Sequence, residues 1–436
     1  MHPILLVPAG PRRVETSTHV ALALLCALAA AVALAALAPA RAASLASRST
    51  ATQPPDPFDN AVWRPLAGAG ARAGHDAVVD VAGGRMIVHG GESALFMPAG
   101  PTAAYDLVRG TWSVLAAAGS APEARLAGRG IMGGSLVLDT AERVLLAQCD
   151  CQDGNAFLLD LAADRWLPAP NDSDVPYVDV LAGFDAQMDR AVFYGGAFRG
   201  LDEPSMASFA YDLSPGRSGW TALPDVPFLL QYQAFDRDDL VGHLLAFGGQ
   251  DAGGEATAEL WRLDLALADQ EGAWVELTPG AEDAWPLPRI GATLTFLAGT
   301  GRALLFGGYD PVAGVSFGDL WLLDATDPDR PRWTAIDVPG GPSARSGHSA
   351  VWDPEGRDLI VHGGVSVAGT RPTYYGDAWA LDIDPETDPP TATATATSTP
   401  SPTVTGEPSA TATATEPAEP TIYLPMTTHK FDAAAP

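Results

Sequence analysis

A short apolar segment that begins with a basic residue and ends with two glycines recurs along most of this chain. Complete copies occupy residues 85–91, 190–196, 243–249, 302–308 and 357–364, and residues 143–149 form a further copy without the glycines. Each copy precedes a second apolar stretch that ends in Asp, namely Asp106, Asp160, Asp212, Asp264, Asp324 and Asp382. The intervals between these residues are 54, 52, 52, 60 and 58 positions. Such a period is typical of a propeller and does not fit a helical hairpin repeat.

A Trp that opens another short strand follows five of the six Asp residues. These residues are Trp112, Trp166, Trp220, Trp274 and Trp333. The sixth repeat lacks a following Trp, but Trp63 stands alone ahead of the first repeat, in a segment that resembles the other Trp strands. We therefore expect the strand at Trp63 to complete the last blade, because pairing both ends of the repeat region in one sheet leaves no open edge.

The remaining strand of each repeat precedes the basic-led segment and is joined to it by a tight turn, as at residues 75–80 and 81–84. Four strands in each of six repeats predict an all-β, six-bladed propeller over residues 61–386. The 45 Gly and 38 Pro are too many for a helical protein, whereas 11 Trp and 14 Phe are too many for a disordered one.

The glycine doublet, the aromatic residue ahead of each Asp and the downstream Trp together resemble the kelch repeat, over residues 61–384. The strand starts at 71–75 and 344–348 strengthen this resemblance, because both read Ala-Arg-small-Gly-His. The resemblance implies the six-bladed fold and extends distantly to the central propeller of galactose-oxidase-like proteins. It leaves function open, because kelch propellers include scaffolds, lectin-like binders, copper oxidases and sugar epimerases.

The N-terminal segment predicts export. Arg12 and Arg13 precede an unbroken apolar run at 20–38, which is followed by small-residue cleavage sites. Residues 1–42 are therefore interpreted as a signal peptide or an uncleaved membrane anchor, and residues 43–60 as a linker. The single Lys among 25 basic residues is typical of a GC-rich bacterial genome. We expect a secreted or cell-surface protein.

The C-terminal segment differs in composition from the repeats. Residues 387–421 are almost wholly Thr, Ala, Pro, Ser and Glu, which predicts a disordered, extended spacer without a core of its own. A short apolar motif and tail occupy residues 422–436. The formal net charge of −28 excludes nucleic acid and anionic lipid as favourable partners. We expect a monomer that binds a protein or a glycan.

No cofactor, metal or catalytic residue is predicted. Cys149 and Cys151 are the only cysteines after the apolar run, so no disulfide framework supports the fold and no Tyr–Cys copper site is expected. Histidines recur at equivalent repeat positions, as His75 with His348 and His89 with His362, and ring closure makes their blades neighbours. A metal or proton-transfer site there is one hypothesis, and plain packing is the other.

The loops after the glycine doublets vary in length and composition, as binding loops on a rigid scaffold do. The candidate binding residues in them are Phe96, Phe198, Arg199, Tyr309, Asp310, Arg371, Tyr374 and Tyr375. The sequence thus favours a binding or adhesion module without catalysis. The alternative is a carbohydrate-active propeller enzyme, either oxidase-like or epimerase-like. Titratable groups that converge at the central mouth of the ring would favour the enzyme, and small or apolar residues would favour the binder.

Overall fold

A computed structural model describes residues 58, 60–94, 97–115, 117–119, 135–139, 143–150, 153–168, 180–198, 203–214, 219–238, 242–280, 283–368 and 371–383. These residues belong to one compact unit. The predicted signal, spacer and terminal motif lie outside them, as do nearly all of the predicted linker and the residues Phe96, Cys151 and Arg199. Within the described part of the chain, no helix has the length and apolar character needed to cross a bilayer.

The described residues form β-strands with one short 3-10 turn at Leu265–Leu267. The first sixteen strands are β1 (Val62–Leu66), β2 (Ala73–Asp80), β3 (Arg85–Ala94), β4 (Met97–Pro98), β5 (Ala103–Asp106), β6 (Thr111–Val114), β7 (Ser135–Leu138), β8 (Arg143–Asp150), β9 (Asp153–Asp160), β10 (Arg165–Pro168), β11 (Leu181–Asp185), β12 (Arg190–Tyr194), β13 (Ala197–Phe198), β14 (Glu203–Pro204), β15 (Ser208–Asp212) and β16 (Gly219–Leu223). The following strands are β17 (Ala234–Asp238), β18 (His243–Phe247), β19 (Leu260–Asp264), β20 (Trp274–Leu277), β21 (Thr293–Leu297), β22 (Arg302–Phe306), β23 (Tyr309–Asp310), β24 (Val315–Ser316), β25 (Leu320–Asp324), β26 (Arg332–Ile336), β27 (Ser349–Asp353), β28 (Asp358–His362), β29 (Val365–Ala368), β30 (Arg371–Tyr374) and β31 (Ala378–Asp382).

Six antiparallel sheets form the blades of a propeller, which confirms the predicted fold; five have four strands, and blade 1 has four plus the short strand β4, which pairs with β3. From the inner to the outer strand, blades 1 to 6 are β2-β3-β5-β6, β7-β8-β9-β10, β11-β12-β15-β16, β17-β18-β19-β20, β21-β22-β25-β26 and β27-β28-β31-β1. The inner strand of each blade contacts the inner strand of the next, and β27 contacts β2. These contacts close the ring.

The N-terminal strand β1 is the outermost strand of blade 6, as the lone Trp63 predicts. It pairs antiparallel with β31, and Trp63 lies opposite Leu381 in this register. The Arg64 guanidinium also forms an ion pair with Asp358 of the same blade. The first strand of the domain thus completes its last sheet and supplies the positive charge that pairs with Asp358.

The glycine doublets satisfy a backbone and a steric requirement at the same time. Gly363 and Gly364 have φ values of 66° and 98°, a region that side chains other than glycine rarely adopt. A Cβ atom on Gly363 would lie 2.3 Å from the Arg72 carbonyl oxygen of blade 1. The doublet therefore lets neighbouring blades approach more closely than any side chain would permit.

Four of the outer-strand Trp side chains pack on the last residue of the second strand in the preceding blade. The ring centroids are 5.3 Å apart for Trp274 and Tyr194, 5.2 Å for Trp333 and Phe247, 5.6 Å for Trp63 and Phe306, and 4.6 Å for Trp112 and His362. The repeated contact fills the space between sheets with large aromatic surfaces. It gives the Trp of the repeat its physical role.

The strand directions define two faces of the ring. The hairpin face carries the hairpins β3–β4, β13–β14, β23–β24 and β29–β30, which follow glycine doublets. The turn face carries the tight turns between first and second strands, such as residues 81–84. Val62, where β1 begins, lies opposite Asp382, where β31 ends, and both are on the turn face. The propeller is therefore joined to the rest of the chain on the face opposite its hairpins.

Candidate functional site

The hairpins of blades 5, 6 and 1 form one continuous part of the hairpin face. The Val367 amide of β29 donates to Ser316 Oγ of β24 over 3.3 Å, which joins the hairpins of blades 5 and 6. The Tyr374 hydroxyl donates to Glu92 Oε1 over 2.6 Å, which joins blade 6 to blade 1. Burial and the Glu92 carboxylate both raise the pKa of this phenol, so Tyr374 stays protonated as the donor.

Buried arginines fix the bases of two of these hairpins. Arg345 has no exposed side-chain surface and forms bidentate hydrogen bonds of 2.7 and 3.0 Å with Asp377. It also donates to the Gly363 carbonyl over 2.7 Å. Arg289 makes the equivalent bonds with Asp319 and Gly307 in blade 5. Bidentate arginine–carboxylate pairs are strong and directional, so the loop bases are rigid.

The electrostatics of these pairs are typical of structural ion pairs. Burial opposes ionisation of Asp377, but the hydrogen bonds from Arg345 and Trp379 outweigh it and hold the pKa of this carboxyl below its ordinary value. Asp319 has the same balance, with Arg289 and Trp321 as its donors. Both carboxylates are therefore charged at neutral pH and bound within the fold.

Several predicted binding residues belong to this framework. The Tyr375 ring covers the Arg345 guanidinium at 4.3 Å, and its hydroxyl lies 2.8 Å from Ser366 Oγ. Tyr309 is only 7% exposed. Asp310 Oδ1 accepts the backbone amide of Val312 over 2.8 Å and so stabilises the β23–β24 turn. These contacts give the three residues structural roles, and their part in ligand binding remains a prediction.

The other predicted residues occupy different environments. Arg371 is exposed at the start of β30. The backbone of Phe198 pairs with Glu203 in the β13–β14 hairpin, and its side chain lies outside the description, as Phe96 and Arg199 do entirely. The structure thus brings Tyr309, Asp310, Arg371, Tyr374 and Tyr375 onto the joined hairpins of blades 5 and 6.

Exposed apolar side chains are the functional candidates that the sequence analysis missed. Met97 is 59% exposed, Val312 is 73% exposed and Val315 is 48% exposed. They lie on the hairpins of blades 1 and 5, on either side of Arg371. We call Met97, Val312, Val315 and Arg371 the crest. The sequence signal that could have identified them is an apolar residue next to Gly or Pro in a variable loop, outside the alternating pattern of the strands.

A central channel of about 610 Å³ is lined by the inner strands. Near its hairpin end, His75 Nε2 lies 2.9 Å from Ser349 Oγ, and His348 Nε2 lies 2.9 Å from Thr293 Oγ1. Each bond joins neighbouring blades. Burial lowers the pKa of His348 to about 3 and, with the nearby His362, lowers the pKa of His75 well below its ordinary value. Both imidazoles are therefore neutral at pH 7.

A carboxyl group also lines the channel. Asp76 accepts the Leu136 amide of blade 2 over 2.8 Å and the Ala77 amide over 2.7 Å. Its burial raises the pKa to about 6, although these two amides act in the opposite direction. The group serves as a link between the inner strands of blades 1 and 2.

The two histidine pairs lie on adjacent blades, but their contacts are those of packing and hydrogen bonding. The His75 and His362 rings are 5.2 Å apart. His89 Nδ1 lies 2.7 Å from Thr102 Oγ1, and His362 Nδ1 donates to the Asp377 carbonyl over 3.1 Å. Among the residues that the structure describes, no group of three or more His, Cys, Asp or Glu is arranged to hold a metal ion.

Comparison with known proteins agrees with this geometry. A family model described as the KLHDC2/KLHL20/DRC7 Kelch-repeats domain matches residues 186–403, half of the chain. The chain belongs to the kelch-repeat propeller family. Membership of this family suggests a protein-binding module.

Curated relatives from plants and algae match parts of this chain. An F-box/kelch-repeat protein of Arabidopsis thaliana is 32% identical over 139 residues, covering 28% of each chain. The N-(sulfonatooxy)prop-2-enimidothioate sulfolyase of Thlaspi arvense is 26% identical over 231 residues, covering 49% of this chain and 62% of the relative. The flagellar outer-arm dynein alpha chain of Chlamydomonas reinhardtii is 34% identical over 108 residues, covering 24% of this chain and 2% of the relative. The chain therefore spans less than two thirds of each relative.

Proposed function

We propose that this chain is an exported binding or adhesion module that recognises a protein partner through the crest of its kelch propeller. The observation that carries the proposal is the placement of β1 and β31. β1 begins and β31 ends on the turn face, so both points at which an anchor or spacer would attach lie on the face opposite the hairpins. This arrangement suits a domain that presents one face to a partner.

The composition of the crest supports a protein partner. Met97, Val312 and Val315 expose apolar surface around the exposed Arg371. Met and Arg are enriched in protein interfaces, and apolar surface with a polar rim is typical of their cores. The buried pairs of Arg289 and Arg345 hold these hairpins in place, so binding would cost little ordering of the loop bases.

The hydrogen bonds of the channel imidazoles favour binding over proton-transfer chemistry. The ring nitrogens of His75 and His348 that bond Ser349 and Thr293 join neighbouring blades. A general base works best with a pKa near the operating pH, and the low pKa of His348, about 3, makes its ring a weak base at neutral pH.

The proposal is tested by comparing variants on the two faces of the full-length protein. Biotinylated protein captures surface and secreted proteins of the source organism, with quantification by mass spectrometry. The crest variant carries Val312→Asp, Val315→Asp and Arg371→Ala, and the control carries Val108→Asp on the turn face, where the side chain is 87% exposed. We expect a partner that the crest variant retains at least about 10-fold less well and the control retains fully, a loss that corresponds to about 1.4 kcal/mol.

Binding must then be reproduced with the purified partner by calorimetry. Equal retention by wild type and crest variant contradicts the proposed face, and loss of retention in the Val108→Asp control shows that the turn face binds instead. Export is tested separately, by digestion of intact cells with an external protease. A propeller that is protected in intact cells but digested after lysis contradicts the proposed location.

A further inference from the structure

A small pocket between blades 3 and 4 is lined by two buried polar groups that have no hydrogen-bond partner among the described residues. Its volume is about 40 Å³, and its lining comes from the end of β12, from residues 224–227 after blade 3 and from residues 263–274 of blade 4. Tyr194 and Trp274 are buried in it, whereas Asp225 is exposed and marks its opening to solvent. The pocket shares no lining residue with the channel or the crest.

The first of the two groups is the hydroxyl of Tyr194, the last residue of β12. Tyr194 is 1% exposed, and its ring packs on Trp274. Phe247 and Phe306 occupy the same position in blades 4 and 5 and pack on outer-strand Trp residues, so this contact does not require a hydroxyl. The Tyr194 hydroxyl has no hydrogen-bond partner within the described structure. Because a buried polar group without a partner destabilises a fold, packing alone favours Phe at this position.

The second group is the indole N–H of Trp274. The side chain is 8% exposed, and its Nε1 atom lacks a partner in the part of the chain that is described. In blade 1, by contrast, Trp112 Nε1 donates to the Ala67 carbonyl over 2.7 Å. An indole N–H only donates, whereas a phenol hydroxyl donates or accepts. Burial raises the pKa of Tyr194, so its hydroxyl keeps its proton. The pocket therefore presents one donor and one group that can act in either way.

The charges around the pocket disfavour an ion as its ligand. The Arg190 guanidinium, on the same strand as Tyr194, forms ion pairs with Asp185 at 2.9 Å and Asp269 at 2.8 Å. Asp225 adds a third carboxylate at the opening. An anion would meet this excess of negative charge, and a cation without lone pairs would leave the Trp274 N–H unpaired. A neutral group that both accepts and donates meets these requirements.

We infer that this pocket binds a neutral primary carboxamide, whose oxygen accepts a hydrogen bond from Trp274 Nε1 and whose NH₂ group donates to the Tyr194 hydroxyl. One water needs roughly 10–15 Å³ of such a volume, so the pocket admits about three non-hydrogen atoms. A carboxamide group has this number of atoms. The rest of the ligand extends through the opening beside Asp225. This site is independent of the crest and of the proposed protein partner.

The test follows the indole N–H signals of the full-length protein by NMR, with nitrogen-15 in the Trp side chains. The Trp274 signal is assigned from the spectrum of Trp274→Phe, and the probes are acetamide and its charged isostere acetate. Trp333 is the internal control, because its Nε1 is likewise buried without a described partner, but its ring packs on Phe247, which has no hydroxyl. Tyr194→Phe removes only the hydroxyl. Tyr105→Phe removes the hydroxyl of a Tyr in blade 1 and is the matched control variant.

We expect acetamide to shift the Trp274 signal saturably and to leave the Trp333 signal in place. A ligand of four non-hydrogen atoms should have a Kd on the order of 1–100 mM. Tyr194→Phe should weaken the binding of acetamide at least about 3-fold, because one hydrogen bond is lost, and should melt no lower than wild type. Tyr105→Phe should bind acetamide as wild type does.

Two capped tripeptides, glycine–glutamine–glycine and glycine–glutamate–glycine, identify the source of the carboxamide. Tighter binding of the glutamine peptide than of acetamide indicates a peptide side chain, and weaker binding indicates a free small amide. The inference is overturned if acetate binds as well as acetamide, if the Trp333 signal shifts equally, or if neither amide shifts the Trp274 signal. A lower melting temperature of Tyr194→Phe also overturns it, because the hydroxyl would then stabilise the fold.

Discussion

Replacing Trp63 with Ala removes the largest side chain that β1 contributes to the closure of the propeller. Trp63 is 8% exposed and packs on Phe306 of blade 5, within a core cluster that includes Leu304 and Leu381. Replacing a buried Trp with Ala costs about 3–5 kcal/mol, because apolar burial is lost and a cavity remains. We expect Trp63→Ala to lower the free energy of unfolding by this amount.

A matched substitution on the same strand separates packing from strand pairing. Val62 is 53% exposed, so Val62→Ala is expected to change the free energy of unfolding by less than about 0.5 kcal/mol. Deletion of residues 61–66 removes the strand itself and exposes the edge of β31, which should destabilise the domain more than Trp63→Ala does. Deletion of residues 388–436 removes no described strand and should have little effect.

The measurement is urea unfolding of each purified variant, followed by both Trp fluorescence and far-ultraviolet circular dichroism. The two probes test whether the blades unfold together, which is needed before a single free energy is assigned. The reasoning is refuted if Trp63→Ala and Val62→Ala differ by less than about 1 kcal/mol, or if the two deletions have equal effects.

Further predictions concern charge and pH. The pKa of Asp76 is about 6 in the folded protein and near 4 in the unfolded protein, so the folded state holds the proton over this window. The free energy of unfolding of the wild type therefore falls as pH rises from 4 to 6. Relative to wild type, Asp76→Asn should gain up to about 3 kcal/mol across this window in pH-dependent unfolding curves. His348, with a folded pKa of about 3, acts in the opposite sense, because its neutral form is favoured by folding. Its contribution to the free energy of unfolding is present above pH 6.5 and is lost as pH falls. His348→Gln should therefore lose less stability than wild type between pH 6.5 and 4. Arg345→Ala should cost about 1–3 kcal/mol because it leaves the Gly363 carbonyl and the partly exposed Asp377 without their donor, whereas Arg371→Ala should cost less than about 0.5 kcal/mol in the same unfolding assay.

The repeat predicted the fold because its marks coincide with physical requirements of each blade. Glycine doublets occur where blades approach closely, and Trp63 could be assigned to blade 6 because every other Trp strand already had a sheet. The register of the second strand in blade 6 could not be predicted from the repeat. The sequence pattern aligned Arg357 with the basic residues that begin the second strands, but the structure places Asp358 there, opposite Asp353, and Arg64 from β1 supplies the compensating charge. Only the closure of the ring reveals this exchange.

The candidate site was predicted less completely, because the role of an amphipathic residue depends on a neighbour that is distant in sequence. In the sequence, Tyr375 and Arg371 are equally good candidates for binding, because both are amphipathic residues of one variable loop. In the structure, the Tyr375 ring packs on Arg345, whereas Arg371 is exposed. Tyr374 reaches Glu92 across 282 positions of sequence.

The distribution of contacts on the hairpin face explains how one scaffold can carry variable loops without losing stability. Arg289 and Arg345 are bound to carboxylates and to glycine-doublet carbonyls at the base of each loop, so the loop ends are fixed regardless of the residues at the tip. Tip residues such as Val312 are largely exposed, so packing in the core does not restrict which residue occupies these positions. Tyr232 is the opposite case, since it lies on the rim of the channel, where its carbonyl accepts the Gly291 amide and its φ of 58° is strained. Under the proposed function, changes at the tips should therefore alter partner binding with little effect on the melting temperature, whereas a change at Tyr232 acts on the rim itself.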